Sequence, residues 1–248
     1  MKKLFSLLLL STFFFASFAQ KADTRYYELR IYYCHPGRLD ALVERFRNHT
    51  MGFFEKHGME NIGYWLPTDN KENALYYVLA YPSKQARDAS WKAFTSDPGW
   101  KEAARQSEES GKIVAKVSSV FMNAAAFTPP IKASQTGTER IFELRTYYCL
   151  PGKLTNLNRR FTDHTLKMFK KHNITSIAYW TAVDTTAPPS KLVYLIAYPN
   201  AAEAKTSWAA FLADPVWVKA KAESEKDGKI VEKVESVFLK PLDYSKIK

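Results

Sequence analysis

The feature that most constrains this chain is that it is written twice. Tyr27-Glu28-Leu29-Arg30-Ile31-Tyr32-Tyr33-Cys34-His35-Pro36-Gly37 returns as Phe142-Glu143-Leu144-Arg145-Thr146-Tyr147-Tyr148-Cys149-Leu150-Pro151-Gly152, displaced by 115 residues. Ala80-Tyr81-Pro82 returns as Ala197-Tyr198-Pro199, displaced by 117, so the second copy gained two residues in between. Residues 26–65 and 75–121 are identical to their partners at 44 of 87 positions, far above chance for unrelated segments. A period this long means a duplicated domain, not a solenoid of short repeats. The boundaries read as a first repeat over 24–127, a linker over 128–138 rich in Pro, Ser, Thr and Gly, and a second repeat over 139–242.

Periodicity changes in the same order within each copy. Tyr26–Cys34 is rich in aromatic and β-branched residues and ends at Pro36-Gly37, which predicts a strand. Leu39, Leu42, Val43, Phe46, Thr50, Phe53, Phe54 and His57 recur at helical spacing up to Gly58. Two strands follow, Asn61–Leu66 and Ala74–Tyr81. Ser83 suits the N-cap of a second helix that breaks near Asp97-Pro98, and Lys112–Met122 reads as the last strand. Strand, helix, strand, strand, helix, strand is the ferredoxin-like unit, with both helices on one face of an antiparallel sheet. The fold class is therefore α+β, two tandem βαββαβ repeats. Their uncovered sheet faces should press together within one chain, because a large apolar face left in water is unfavourable.

The motifs in this order resemble the NIPSNAP family. They are Tyr-Glu-Leu-Arg-x-Tyr before Pro-Gly, Arg-Phe-x-x-His-Thr on a helix, Gly-Tyr-Trp on a strand, and Ala-Tyr-Pro-Ser before Trp-x-x-Phe. The resemblance covers Tyr26–Met122 and Ile141–Leu239. It implies the dimeric α/β-barrel architecture, here closed inside a single chain. That superfamily includes cofactor-free monooxygenases, polyketide cyclases, isomerases and haem-handling enzymes, so the resemblance implies a fold and not a reaction.

Candidate site residues come in pairs. With a strand period of two, Tyr27, Leu29, Ile31 and Tyr33 share one face, assigned to the helix layer. Glu28, Arg30, Tyr32 and Cys34 share the other, assigned to the barrel interior beside Glu143 and Arg145. Glu28 and Arg30 then either pair with each other or across the two-fold with Arg145 and Glu143, since buried charges need partners. Alternatively, Arg30 and Arg145 hold an anionic ligand. Tyr64, Trp91, Tyr179 and Trp208 complete the ligand-binding candidates. His49 and His164 are expected at the edge of the apolar stripe, facing the helix–sheet cleft, as structural histidines or as general acid–base groups. His57 and His172 read as helix-end groups. Cys34 and Cys149 read as buried thiols, with a disulfide as the alternative.

No nucleotide-binding, zinc-protease, CxxC or nucleophile-elbow motif occurs, and no metal-ligand spacing, so neither cofactor nor metal is expected. The formal charge is +11, but its lysines are interspersed with acids, which argues against nucleic acid. The partner expected is a small molecule, with self-association left open. Three functions fit these residues: a small-molecule binding protein for an aromatic or anionic ligand, a cofactor-free enzyme using His49 or His164, and an interaction module.

Met1-Lys2-Lys3, the apolar run Leu4–Phe18 and the small residues Ser17 and Ala19 read as a secretory leader, making the protein exported, periplasmic or secreted. No later segment is apolar enough to span a bilayer. Protein recovered from outside the cytoplasm should begin at Gln20. Edman sequencing that finds Met1 instead would refute the leader.

Overall fold

The computed structural model describes residues 22–134, 140–183 and 190–248; the leader segment 1–19 and part of the 128–138 linker lie outside them. In the first repeat β1 (Tyr26–Cys34) leads into α1 (Leu39–Arg45), a π-helical turn (Phe46–Thr50) and α2 (Met51–Lys56). β2 (Glu60–Pro67) and β3 (Ala74–Tyr81) follow, then α3 (Lys84–Ser96), α4 (Pro98–Ser107) and β4 (Val114–Ala124). The second repeat repeats the order as β5 (Ile141–Cys149), α5 (Leu154–Arg160), a π turn (Phe161–Thr165), α6 (Leu166–Lys171), β6 (Thr175–Ala182), β7 (Lys191–Tyr198), α7 (Ala201–Ala213), α8 (Pro215–Ser224) and β8 (Val231–Pro241).

All eight strands close into one antiparallel barrel in the order β1-β3-β2-β8-β5-β7-β6-β4. Within a repeat the last strand and β3 or β7 flank the first strand along its length. The two repeats join by short ladders, Trp65–Pro67 on Leu239–Pro241 and Met122–Ala124 on Trp180–Ala182. Closure pairs β4 and β8 on both sides only at their last residues; earlier in each strand the ladder runs to the first strand of its own repeat alone.

The barrel interior is apolar and contributed by both copies. Tyr27, Leu29, Trp65 and Met122 pack with Phe142, Leu144, Trp180 and Leu239. Trp65 lies on Phe142 and Trp180 on Tyr27, with ring centroids 6.0 and 5.7 Å apart, a contact pair related by the internal two-fold. This corrects the assignment of strand faces. Tyr27 and Leu29 face the barrel, whereas Glu28, Arg30, Tyr32 and Cys34 face the helices. A carboxylate in the barrel would lie among Leu29, Val78, Leu144, Leu195 and aromatic rings. On the helix side α3 supplies donors to it.

Two further cores fill the helix layers, one per repeat. Cys34 and Cys149 are free thiols buried in these separate cores, and burial pushes both up to about 11.

Each repeat also reaches over the other. After β4 the Ala125 N–H donates to the Tyr179 carbonyl at 2.9 Å, the Tyr179 N–H donates to Thr128 Oγ1 at 2.9 Å, and Phe127 packs on Tyr179. After β8 the Leu242 N–H donates to the Tyr64 carbonyl at 3.0 Å, the Tyr64 N–H donates to Ser245 Oγ at 3.0 Å, and Tyr244 packs on Tyr64. These exchanged straps seal the outer ends of β2 and β6.

The expected single helix over 39–57 carries a widened turn. Thr50 Oγ1 donates to the Arg45 carbonyl, five residues back, at 3.1 Å, and Thr165 does the same to Arg160. A π turn needs one more residue to come round, so Thr50 rather than His49 returns to the stripe of Phe46. Replacing Thr50 or Thr165 by Val keeps the shape and removes the donor to a buried carbonyl. Each change should cost about 1–2 kcal/mol in urea unfolding, and the two should add because they lie in separate cores.

Candidate functional site

Each sheet presents one buried glutamate to its helices. Glu28, on the middle of β1, is fully buried. Arg87 on α3 donates to both its oxygens at 2.9 Å, and Arg30 Nη1 donates to Oε1 at 2.6 Å. Tyr81 Oη and Trp91 Nε1 donate to Oε2 at 3.1 Å each. The Arg30 guanidinium lies 4.2 Å from the Trp91 ring centroid. Burial alone pushes the Glu28 carboxyl up, but the Arg87 and Arg30 guanidiniums outweigh it and hold it below the ordinary carboxylate range.

The second copy repeats this cluster with one charge missing. Glu143 accepts from Arg145 Nη1, from Ser236 Oγ, and from Tyr198 Oη and Trp208 Nε1, both at 2.7 Å. Arg145 lies 4.3 Å from the Trp208 ring centroid. The position of Arg87 is held by Ala204. In the first copy Arg30 Nε donates to Tyr77 Oη at 2.9 Å. Arg145 Nε is buried with no hydrogen-bond partner.

Beside Arg145, between β5 and β8 on one side and α7 and α8 on the other, lies an open cleft of about 520 Å³. Tyr147, Trp208 and Trp217 give it aromatic walls, and Lys221 and Lys229 stand on it. Arg160 also reaches this cleft and is paired with Glu225 at 2.9 Å. A pocket of this size with a few polar groups is of small-molecule dimensions.

Of the residues expected at the site, Glu28, Arg30 and Trp91 form one cluster, and Glu143, Arg145 and Trp208 form its counterpart. Pairing across the two-fold does not occur, because the barrel core separates the two clusters. Tyr64 and Tyr179 are fully buried under the straps of the opposite repeat. His49 is exposed and His164 half-buried, and neither lines the Arg145 cleft, a correction that follows from the π turn. His57 and His172 sit at the ends of α2 and α6. Their Nε2 atoms lie 2.8 and 2.9 Å from Asp97 and Asp214, the residues that cap α4 and α8. Among the described residues no group of three His, Cys, Asp or Glu could hold a metal ion, and no helix is long and apolar enough to cross a membrane.

Arg87, Tyr81 and Tyr198 escaped the sequence reading. Tyr81 and Tyr198 were visible as a repeated pair. Arg87 has no repeated signal, and only a comparison of where the copies differ would have found it.

Two ferredoxin-like repeats closed into eight strands define a single-chain member of the dimeric α/β-barrel class. The NIPSNAP family model matches residues 27–129 and again 142–246, and the chain belongs to the NIPSNAP family. Protein NipSnap homolog 3A of Pongo abelii is 23% identical over 142 residues, 56% of this chain and 53% of that protein. The chain thus spans about half the length of this curated relative. A candidate monooxygenase from Fusobacterium nucleatum subsp. nucleatum aligns with a TM-score of 0.60 at 12% identity, over 90% of this chain and 94% of that one. An anthrone oxidase-like protein aligns with a TM-score of 0.58 at 10% identity, over 91% and 95% of the two chains. Likeness at this identity is one of fold.

Replacing Glu28 by Gln leaves two guanidiniums without their carboxylate. It should lower stability by about 3 kcal/mol at neutral pH, the range for breaking a buried pair. The Glu28 pKa is depressed on folding, so its contribution is complete above the unfolded value of about 4.3 and is lost as pH falls through the lower folded value. The gap between native and variant in urea midpoints should therefore close in acid. A gap that widens there would contradict the assignment.

Proposed function

We propose that this is an exported binding protein that takes a small aromatic anion in the helix–sheet cleft of the second repeat. The observation that carries the reading is Arg145. Its Nε and the Oη of Tyr194, the counterpart of Tyr77, are both buried without a partner, so the second copy lacks the bond that engages Arg30 Nε in the first, and an acceptor supplied to this guanidinium recovers free energy. Arg30, its first-repeat counterpart, is already bonded to Tyr77, Glu28, Ser119 and Tyr32. The reading thus assigns the ligand to one copy.

The cleft's chemistry agrees with an aromatic anion. Trp208, Trp217 and Tyr147 offer ring faces and edges for stacking. Lys221 stands where the first copy has Ala104 and Glu232 where it has Ala115, so the second cleft gains one charge of each sign, and the cation is the one beside Trp217 on α8. The barrel interior is a poor alternative location because both copies fill it with packed side chains. An acid–base role for His49 or His164 draws no support from this cleft, which neither residue lines. The candidate monooxygenase and the oxidase-like neighbour lend the fold without a reaction.

Isothermal titration of the mature protein with 2-naphthoate tests the reading. Saturable binding is expected, and Lys221→Glu with Lys229→Glu should weaken it by about tenfold or more, since charge-assisted contacts are of that strength. Both lysines bear on the cleft without holding the fold, so unchanged melting is also expected. Binding of equal strength in that double variant, or none in the native protein, would refute the assignment.

A further inference from the structure

The two copies differ most sharply at one place, where the start of the first strand meets the second helix. In the first repeat this corner is filled and its charges are paired. The Tyr26 ring stacks on Phe121 with centroids 5.9 Å apart, and the Arg87 guanidinium lies 5.0 Å from the same ring. Asp88 takes Lys84 at 2.7 Å and Arg87 at 3.2 Å, so the surface is a closed salt-bridge lattice over an aromatic.

In the second repeat the four corresponding residues are all changed, three to apolar side chains and one from acid to base. Ile141 replaces Tyr26, Ala201 replaces Lys84, Ala204 replaces Arg87 and Lys205 replaces Asp88. The phenylalanine is kept as Phe238, which is now 38% exposed. What remains is a cavity of about 550 Å³ walled by Ile141, Ala201, Ala204, Trp208 and Phe238. Lys205 and Lys240 stand on it, and neither pairs with an acid among the described residues. Lys240 occupies the position of Asn123, so the divergence introduces both lysines.

Random loss of a salt-bridge lattice would leave the corner apolar or mixed. Here the wall became apolar while the rim became doubly cationic, which is the complement of an amphiphile with an anionic head. Trp208 divides this pocket from the Arg145 cleft, and the two line different stretches of β8. We infer that the Ala204 pocket is a second binding site, for a fatty carboxylate whose chain lies on Phe238 and Trp208 and whose head sits between Lys205 and Lys240. Lysine suits this arrangement because its flexible stem can follow the head group while the ammonium stays hydrated. The inference does not depend on the occupant of the Arg145 cleft.

Titration of the mature full chain with monomeric decanoate tests it, with decanol as the uncharged control. Saturable decanoate binding is expected, with decanol much weaker. Restoring the first repeat's surface residues by Lys205→Asp and Lys240→Asn should weaken decanoate binding by about tenfold or more. Adding Ala204→Arg should abolish it by refilling the pocket. If that third change disturbs folding, the surface pair still decides. The Lys221→Glu and Lys229→Glu variant should bind decanoate as the native protein does, which separates this site from the aromatic-anion cleft. Absence of decanoate binding, equal affinity for decanol, or full binding by the Lys205→Asp and Lys240→Asn variant would overturn the inference.

Discussion

The structure depends on burying two sheet faces that have no helices of their own to cover them. Each ferredoxin-like half places both helices on one side, so its other side, led by Tyr27, Leu29 and Trp65 or by Phe142, Leu144 and Trp180, must find an apolar partner. The other half of the same chain supplies it. Because the halves are tethered, this association does not carry the full entropic cost of bringing two molecules together. Every other feature follows from that choice. Charges are driven to the helix side, strand edges close on each other, and the segments after β4 and β8 cross to pack on the neighbouring half.

The buried glutamates show how the same frame tolerates charge. Glu28 and Glu143 are each satisfied by strand, helix and tyrosine donors, and each places an arginine against a tryptophan ring. In the second copy the guanidinium held in this way lines a cleft. Whether the cleft is available is set by the residues around it. Arg30 is fully engaged and Arg145 is not, although the two occupy the same place in the fold.

Divergence after duplication changed barrel side chains while keeping most of them apolar, as where Tyr27 became Phe142, Tyr76 became Val193 and Met122 became Leu239, and it changed charge on the helix side. The paired tryptophans, the π turns and the capping aspartates persist in both copies, whereas Arg87 became Ala204 and Asp88 became Lys205. A frame stabilised by symmetric contacts frees one copy to hold the architecture while the other opens its surface.

From the sequence alone came the duplication, the order of strands and helices, the ferredoxin-like unit and the need for the halves to meet. Hydrophobic period and turn residues carry these directly, and a repeated motif is its own internal control. The same period could not say which face of β1 met the barrel, since Tyr27 and Tyr33 alternate with Glu28 and Tyr32 and either set can be buried. It could not place His49, because a π turn differs from an α turn by one residue and leaves no mark on spacing. Nor could it show that Tyr64 and Tyr179 lie under straps from the opposite repeat, or that Arg145 Nε is left without an acceptor. Those facts are decided by which side chains face each other across the closed barrel and its helices, a relation between residues far apart in the chain that only tertiary packing determines.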